Sequence, residues 1–228
     1  MKRILMVAVA ALALAFPQLA RAASEQQTVD DAAVVVQHLN SNTGLAPAAR
    51  DALRRSHGVM IIPALVKGGF IFGAQGGTGV LLSRDPKTGS WSYPAFYAMG
   101  AGSFGLQIGL EVSKIMLIIM NDKAMNAMMA AEFKLGAEAG IAVATLGGGA
   151  EASTTAAGGA DIYALAESAG LFGGVAIQGG IIKPLVDEDH RYYNANLTAQ
   201  QIVLARVKAA KNPGAEKLRA SLRAVAGK

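Results

Sequence analysis

Reactive residue types are sparse in this 228-residue chain and poorly spaced for catalysis. Its three histidines, His38, His57 and His190, lie far apart, and none has a second ligand at i+3 or i+4, whereas a catalytic zinc needs three converging ligands. Cysteine is absent, which removes disulfides, thiolate metal sites and a thiol nucleophile together. The one concentrated acidic group, Asp187-Glu188-Asp189-His190, lacks the alternating acids and closing glutamate of a calcium loop and reads as a solvated turn after Pro184. Gly73-Ala74-Gln75-Gly76-Gly77-Thr78-Gly79 lacks the Gly-Lys-Ser/Thr ending of a phosphate loop and reads as a glycine hairpin. No Gly-x-Ser-x-Gly elbow occurs; Ser103 in Gly102-Ser103-Phe104-Gly105 comes nearest. These residues point away from an enzyme, a resident cofactor and a metal centre.

Charge is the chemistry that remains. The net charge of +5 falls to +2 once Lys2, Arg3 and Arg21 are set aside. From Arg206 onward seven basic residues face Glu216 alone, so a basic appendage follows a mildly acidic body. Arg206, Lys208 and Lys211 open that appendage, and Arg50 and Arg54, one helical turn apart with Arg55 beside them, form a second basic group. A helix with an apolar stripe and Lys/Arg on its polar side suits a membrane interface, and an anionic surface contributes about 1 kcal/mol per nearby cation. The competing reading of both groups is a solvated helix face. Nucleic acid fits poorly, because the basic residues are mostly terminal and have no interleaved aromatics for stacking bases.

The elements that would carry these groups follow from periodicity. Residues 1–22 read as a signal peptide: Lys2-Arg3, an apolar run from Ile4 to Phe16, and an Ala20-Arg21-Ala22 cleavage site. That run is too short for a membrane-spanning helix, which needs ~20 residues. A lipoprotein is excluded, since lipid attachment at such a site needs a cysteine. Residues 23–228 then form one domain: helical over 24–56, β-rich over 57–196, and basic helices over 198–226. Ser24 to Gln27 and Thr198 to Gln201 are capping boxes, Pro47 sits in a first helical turn, and Val29, Ala32, Ala33, Val36 and Leu39 make one stripe. Short strands are expected at Val59–Ile62, Phe70–Gln75, Val80–Ser83, Trp91–Phe96, Ser103–Ile108, Ile115–Met120, Ala137–Leu146, Asp161–Glu167 and Leu171–Ile182. Asp85 to Gly89 is a tight connection, Asp122 caps a short helix with Met125 and Met128 as core filler, and Gly147–Gly159 is a glycine-rich loop or crossing. The fold class is α+β, with an antiparallel, barrel-like sheet and helices at both ends.

The blocks His57-Gly58-Val59-Met60-Ile61-Ile62-Pro63, Gly68-Gly69-Phe70, Trp91-Ser92-Tyr93-Pro94, Gly105-Leu106-Gln107-Ile108-Gly109, Ser168-Ala169-Gly170-Leu171-Phe172-Gly173-Gly174 and Tyr192-Tyr193 stand in fixed order. In this the chain resembles the SYLF domain, the Ysc84-type or DUF500 lipid-binding family, over roughly residues 30 to 205. Gly58, Pro63, Gly69, Trp91, Pro94, Gln107, Gly109 and Gly170 belong to that recognisable scaffold. The resemblance implies a non-catalytic protein with affinity for phospholipid, and some relatives bind actin. The expectation is a secreted protein of the bacterial periplasm, free or peripheral at a membrane, that meets anionic headgroups through Arg50, Arg54, Arg55, Arg206, Lys208 and Lys211. The alternative is a structural or protein-interaction module of the cell envelope whose lipid affinity is incidental.

Overall fold

The computed structural model describes residues 24–41, 47–145, 159–169, 177, 179–204 and 211–227. The expected signal peptide, Gly147–Gly158, Gly170, Arg206 and Lys208 lie outside them. Helix α1 (Glu25–Ser41) and helix α2 (Pro47–Arg55) precede two long strands, β1 (Gly58–Ser83) and β2 (Ala95–Ile119). After these come α3 (Asp122–Met128), β3 (Phe133–Lys134), β4 (Ile141–Thr145), β5 (Ile162–Ala169), β6 (Ile181–Pro184), α4 (Val186–Tyr193), α5 (Ala199–Val203), a 3₁₀ turn at Pro213–Ala215 and α6 (Glu216–Ala226).

The first correction concerns the glycines. The six short strands expected between Val59 and Met120 are two, paired antiparallel from Gly58↔Ile119 to Leu81↔Ala95. Gly73–Gly79 is therefore mid-strand and not a hairpin. A glycine interrupts the side-chain pattern but keeps both ladder groups, so pairing continues through it. Proline does not, and Pro63 falls at the register shift between Ile62 and Leu65. Gly69 pairs with Gly109, and Gln107 lies within β2. The true reversal is Asp85–Gly89, where Asp85 Oδ1 accepts the N–H groups of Lys87 and Thr88 and Gly89 takes φ 68°.

The β1–β2 ribbon then doubles back. β2 pairs β5 through residues 112–119 and β6 through residues 97–100, at opposite ends of the strand. On the other side, the two ends of β1 approach each other antiparallel. The Arg84 N–H donates to the His57 carbonyl at 2.9 Å, and glycine replaces side chains where the halves meet. A Cβ at Gly58 would lie 2.7 Å from the Leu82 carbonyl oxygen, at Gly79 2.2 Å from that of Ile61, and at Gly77 2.4 Å from that of Ala64. Among the described residues, six strands thus supply eight segments of one curled, barrel-like sheet, with β3 and β4 at its ends. It is antiparallel except between β4 and β5, which run parallel. The 16 residues between those strands give the length that such a crossover needs.

Around residues 59–65, 80–82, 95–99 and 115–119 both faces of the sheet are filled. Met60, Ile62, Leu81, Tyr97, Ile115 and Leu117 point to one side, against Met125 and Met128 of α3 and Ile202 and Val203 of α5. Their alternating neighbours Val59, Ile61, Val80, Leu82, Met116 and Ile118 point to the other, under α1, α2 and α6. The methionines are core filler, as their spacing suggested, although Asn121, not Asp122, caps α3 by accepting from Ala124 N–H.

Asp187–His190 is the second correction. It lies in α4, and Asp189 is completely buried, accepting the Phe96 N–H at 2.9 Å. Tyr193 donates its hydroxyl to the Pro94 carbonyl, and Tyr192 meets the Phe96 ring edge-on at 5.1 Å. These contacts fasten α4 to the start of β2. Burial pushes the Asp189 carboxyl up to about 7; the Phe96 N–H opposes that shift and the charge of Glu188 adds to it.

Two expectations follow. Gly79→Ala should destabilise the fold by about 1–3 kcal/mol in urea unfolding, because the rigid Ile61 carbonyl cannot yield. Gly102→Ala in β2, whose Cβ meets nothing within 4 Å, should cost nothing measurable. Asp189 binds its proton more tightly folded than unfolded, so its contribution to stability is fully present below pH 3.8 and is lost as pH rises towards 7, by at most about 1.4 kcal/mol per pH unit. Asp189→Asn should flatten that slope in pH-dependent thermal melts and be the more stable protein at pH 8. An unchanged slope would place the titrating group elsewhere.

Candidate functional site

The outer layer of helices gathers the two ends of the described chain onto one face of the sheet. Ser24 Oγ accepts Gln27 N–H at the start of α1, and Val29, Ala32, Ala33 and Val36 bury the opposite stripe completely. Each buried valine contributes about 1.5–3 kcal/mol and each buried alanine methyl about 0.8 kcal/mol. The exposed Glu25–Arg191 ion pair, at 2.6 Å, contributes about 0–1 kcal/mol, so packing rather than charge holds α1.

α6 runs alongside α1 in the same direction. Gln26 Nε2 donates to the Gly214 carbonyl at 3.2 Å, and eleven residues further along α1 Gln37 Nε2 donates to Ser221 Oγ at 3.1 Å. Leu218, Leu222 and Val225 fill its buried side, matching the apolar spacing of the sequence. Asn212 caps the preceding 3₁₀ turn by accepting from Gly214 N–H, and its side-chain amide donates to the Tyr192 carbonyl.

The Trp91–Pro94 block anchors this helix. Arg219 donates twice to the Trp91 carbonyl, at 3.1 and 2.9 Å, and its guanidinium stacks 4.2 Å from the Tyr93 ring centre. Glu216 accepts from both Arg219 and the Tyr93 hydroxyl. Burial raises the Tyr93 hydroxyl above its ordinary range, and the hydrogen bond to Glu216 adds to that. Glu216 is held below the usual carboxylate range although burial works against it, because the Tyr93 hydrogen bond and the Arg219 charge prevail.

The basic residues singled out in the sequence differ in their duties. Arg54 donates from Nε to the Ala226 carbonyl at 3.1 Å, satisfying a terminal carbonyl of α6 at the negative end of its dipole. Arg50 is partly buried, Arg55 is exposed and pairs with Asp51 at 2.6 Å, and Lys211 is exposed ahead of the 3₁₀ turn. Arg54 therefore ties α2 to the last turn of α6. Lys217 and Arg223 project from the exposed side of α6 and belong to the same surface.

The histidines are not brought together in a site. His57 Nδ1 lies 2.7 Å from Asp122, and His38 Nδ1 lies 3.2 Å from Glu167, which also meets Lys114 at 3.5 Å. Among the described residues, no group of three or more His, Asp or Glu side chains could hold a metal ion, and no helix is long and apolar enough to cross a membrane.

This arrangement has relatives. The Ysc84 family, described as "Las17-binding protein actin regulator", matches residues 100–225. Yeast LAS seventeen-binding protein 3 is 32% identical over 163 residues, covering 69% of this chain and 35% of its own length. Yeast protein YSC84 is 33% identical over 161 residues, covering 68% and 34%. Human SH3 domain-containing YSC84-like protein 1 is 28% identical over 152 residues, covering 66% and 44%. The chain spans between a third and a half of the length of these relatives, and no catalytic family is indicated among them. By that match, which runs from within β2 into α6, and by its likeness to the yeast proteins, this chain belongs to the Ysc84, or SYLF, family.

Proposed function

We propose that the chain is a non-catalytic interaction module that docks protein partners through the α1–α2–α6 layer. The observation that carries this reading is the gathering of helices from both ends of the described chain into one exposed surface, on a part of the sheet whose two faces are already filled by side chains. The relatives' names support the same class, since they speak of Las17 binding and of SH3 domains. Those names describe longer proteins, so neither partner is carried over. In this reading residues 1–22 direct export, and the partner is a protein of the bacterial envelope.

A second reading is favoured by one feature of the same layer: Arg54 and Arg55 of α2 adjoin the end of α6, which carries Lys217 and Arg223. Such a surface suits anionic phospholipid headgroups.

The two readings separate experimentally. Chain immobilised on beads should capture one or a few envelope proteins, and a Lys217→Glu, Arg223→Glu variant should lose them; capture of none, or equal capture by the variant, would contradict docking through this layer. For the lipid reading, co-sedimentation with anionic liposomes should weaken as salt rises, and Arg55→Glu with Arg223→Glu should reduce it by about tenfold or more. Arg54 is the poorer probe, since replacing it also loosens α6. No binding to anionic liposomes at low salt would remove the lipid reading.

A further inference from the structure

Helix α4 is where the sheet and the two terminal helices are tied to one another. Where β6 ends at Pro184, α4 takes over its ladder partners: the Leu185 N–H donates to the Phe96 carbonyl at 2.8 Å, and Asp189 accepts the Phe96 N–H at 2.9 Å. Other contacts of α4 reach the terminal helices. Arg191 pairs with Glu25 at 2.6 Å, the Tyr192 hydroxyl donates to Gln26 Oε1 at 3.3 Å, and the Tyr192 carbonyl accepts from Asn212, which caps the turn leading into α6. We propose that α4 is a pH-operated latch on the α1–α6 layer, closed while the Asp189 carboxyl is protonated and loosened when it ionises. This rests on the interaction-module reading for its use and gives that surface a regulation.

The geometry decides which protonation state fits. Asp189 is completely buried, and its Oδ2 has no hydrogen-bond partner among the described residues; nor has the buried hydroxyl of Tyr97, the residue next to Phe96. A carboxylate held away from water needs several donors or a cation to keep its charge. The cations nearby are committed elsewhere: Arg191 to Glu25 and Glu188, and Arg219, which acts on Tyr193, to Glu216. The groups that act with Asp189 are Glu188 and Tyr193 of its own helix and Tyr97 of β2, and the Glu188 charge opposes ionisation. Burial raises both tyrosine hydroxyls far above their ordinary range. Of these three buried groups, only the carboxyl, pushed up to about 7 by burial, changes state near neutral pH.

The direction follows. With α4 detached, Asp189 meets water and returns to its ordinary value of 3.8. Between those limits the closed latch holds a proton that the open one lacks, so opening grows by at most about tenfold per pH unit and levels off above pH 7. Opening frees the Glu25 and Gln26 contacts of α1 and the Asn212 contact ahead of α6, while Gln37–Ser221 and Arg54–Ala226 still pin the other end of the layer. Acid therefore favours the docking surface.

The test is amide hydrogen exchange of the full chain, read by NMR from pH 5 to 8 and corrected for the intrinsic pH dependence of exchange. Protection of α4 and of the first turns of α1 and α6 should fall by about tenfold or more across that range, while Ile115–Ile119 of β2 stay better protected throughout. Asp189→Asn keeps an oxygen for the Phe96 N–H and should abolish the fall. Glu188→Gln should move its midpoint to lower pH, and decides the matter if Asp189→Asn does not fold. Tyr193→Phe, which removes the Pro94 hydrogen bond, should loosen α4 by a similar factor at every pH. Protection of α4 indifferent to pH, a fall that survives in Asp189→Asn, an unmoved midpoint in Glu188→Gln, or equal loss in β2 would overturn the latch. So would an α4 that loosens without α1 and α6. Exchange needs no partner, so failure to capture an envelope protein removes the docking reading alone. Partners captured equally at pH 6 and pH 8 would overturn the regulation and leave docking intact.

Discussion

The fold depends on one close approach, in which the backbone of Gly77 and Gly79 lies against the carbonyls of Ala64 and Ile61 within the same strand. Side chains larger than hydrogen would force the two passes of β1 apart. With glycine there, the ribbon curls, β2 reaches β5 at one end and β6 at the other, and a two-stranded hairpin becomes the middle of an eight-segment sheet. The same alternation that makes β1 and β2 strands then supplies two apolar faces. One is filled by α3 and α5, and the other requires helices from both ends of the chain.

That requirement explains why polar contacts concentrate on α6. Its apolar side supplies most of the binding energy, while Arg219 and Arg54 fix its position at two points, the Trp91 carbonyl and its own last turn. Arg219 is largely withdrawn from solvent, where a paired guanidinium is worth more than an exposed ion pair such as Arg55–Asp51. The sole tryptophan and its neighbours therefore act as a socket for the C-terminal helix.

Features set by local chemistry were legible in the sequence. The α1 stripe, Pro47 at the start of α2, the Thr198–Gln201 capping box and the apolar spacing of α6 all depend on neighbours within two turns. The family blocks and the barrel-like class were legible too. What escaped depends on distant partners. Asp189 looks solvated until Phe96, 93 residues earlier, offers it an N–H. Glycines in β1 look like turns until Ile61 and Ala64 are seen to need their missing side chains. Arg54 gave no sign in the sequence that a helix end 172 residues away would accept its Nε–H. Charge and periodicity marked the basic groups; only folding showed that α2 meets the end of α6.

The N-terminal and C-terminal helices form one packed surface, and the absence of cysteine makes that contact directly measurable. Gln37→Cys with Ser221→Cys, treated with a short bismaleimide, should give a rapid intramolecular link in almost every molecule, independent of protein concentration, because these side chains meet across the α1–α6 junction. Links that form only between molecules, or none at all in a folded double variant, would contradict the account.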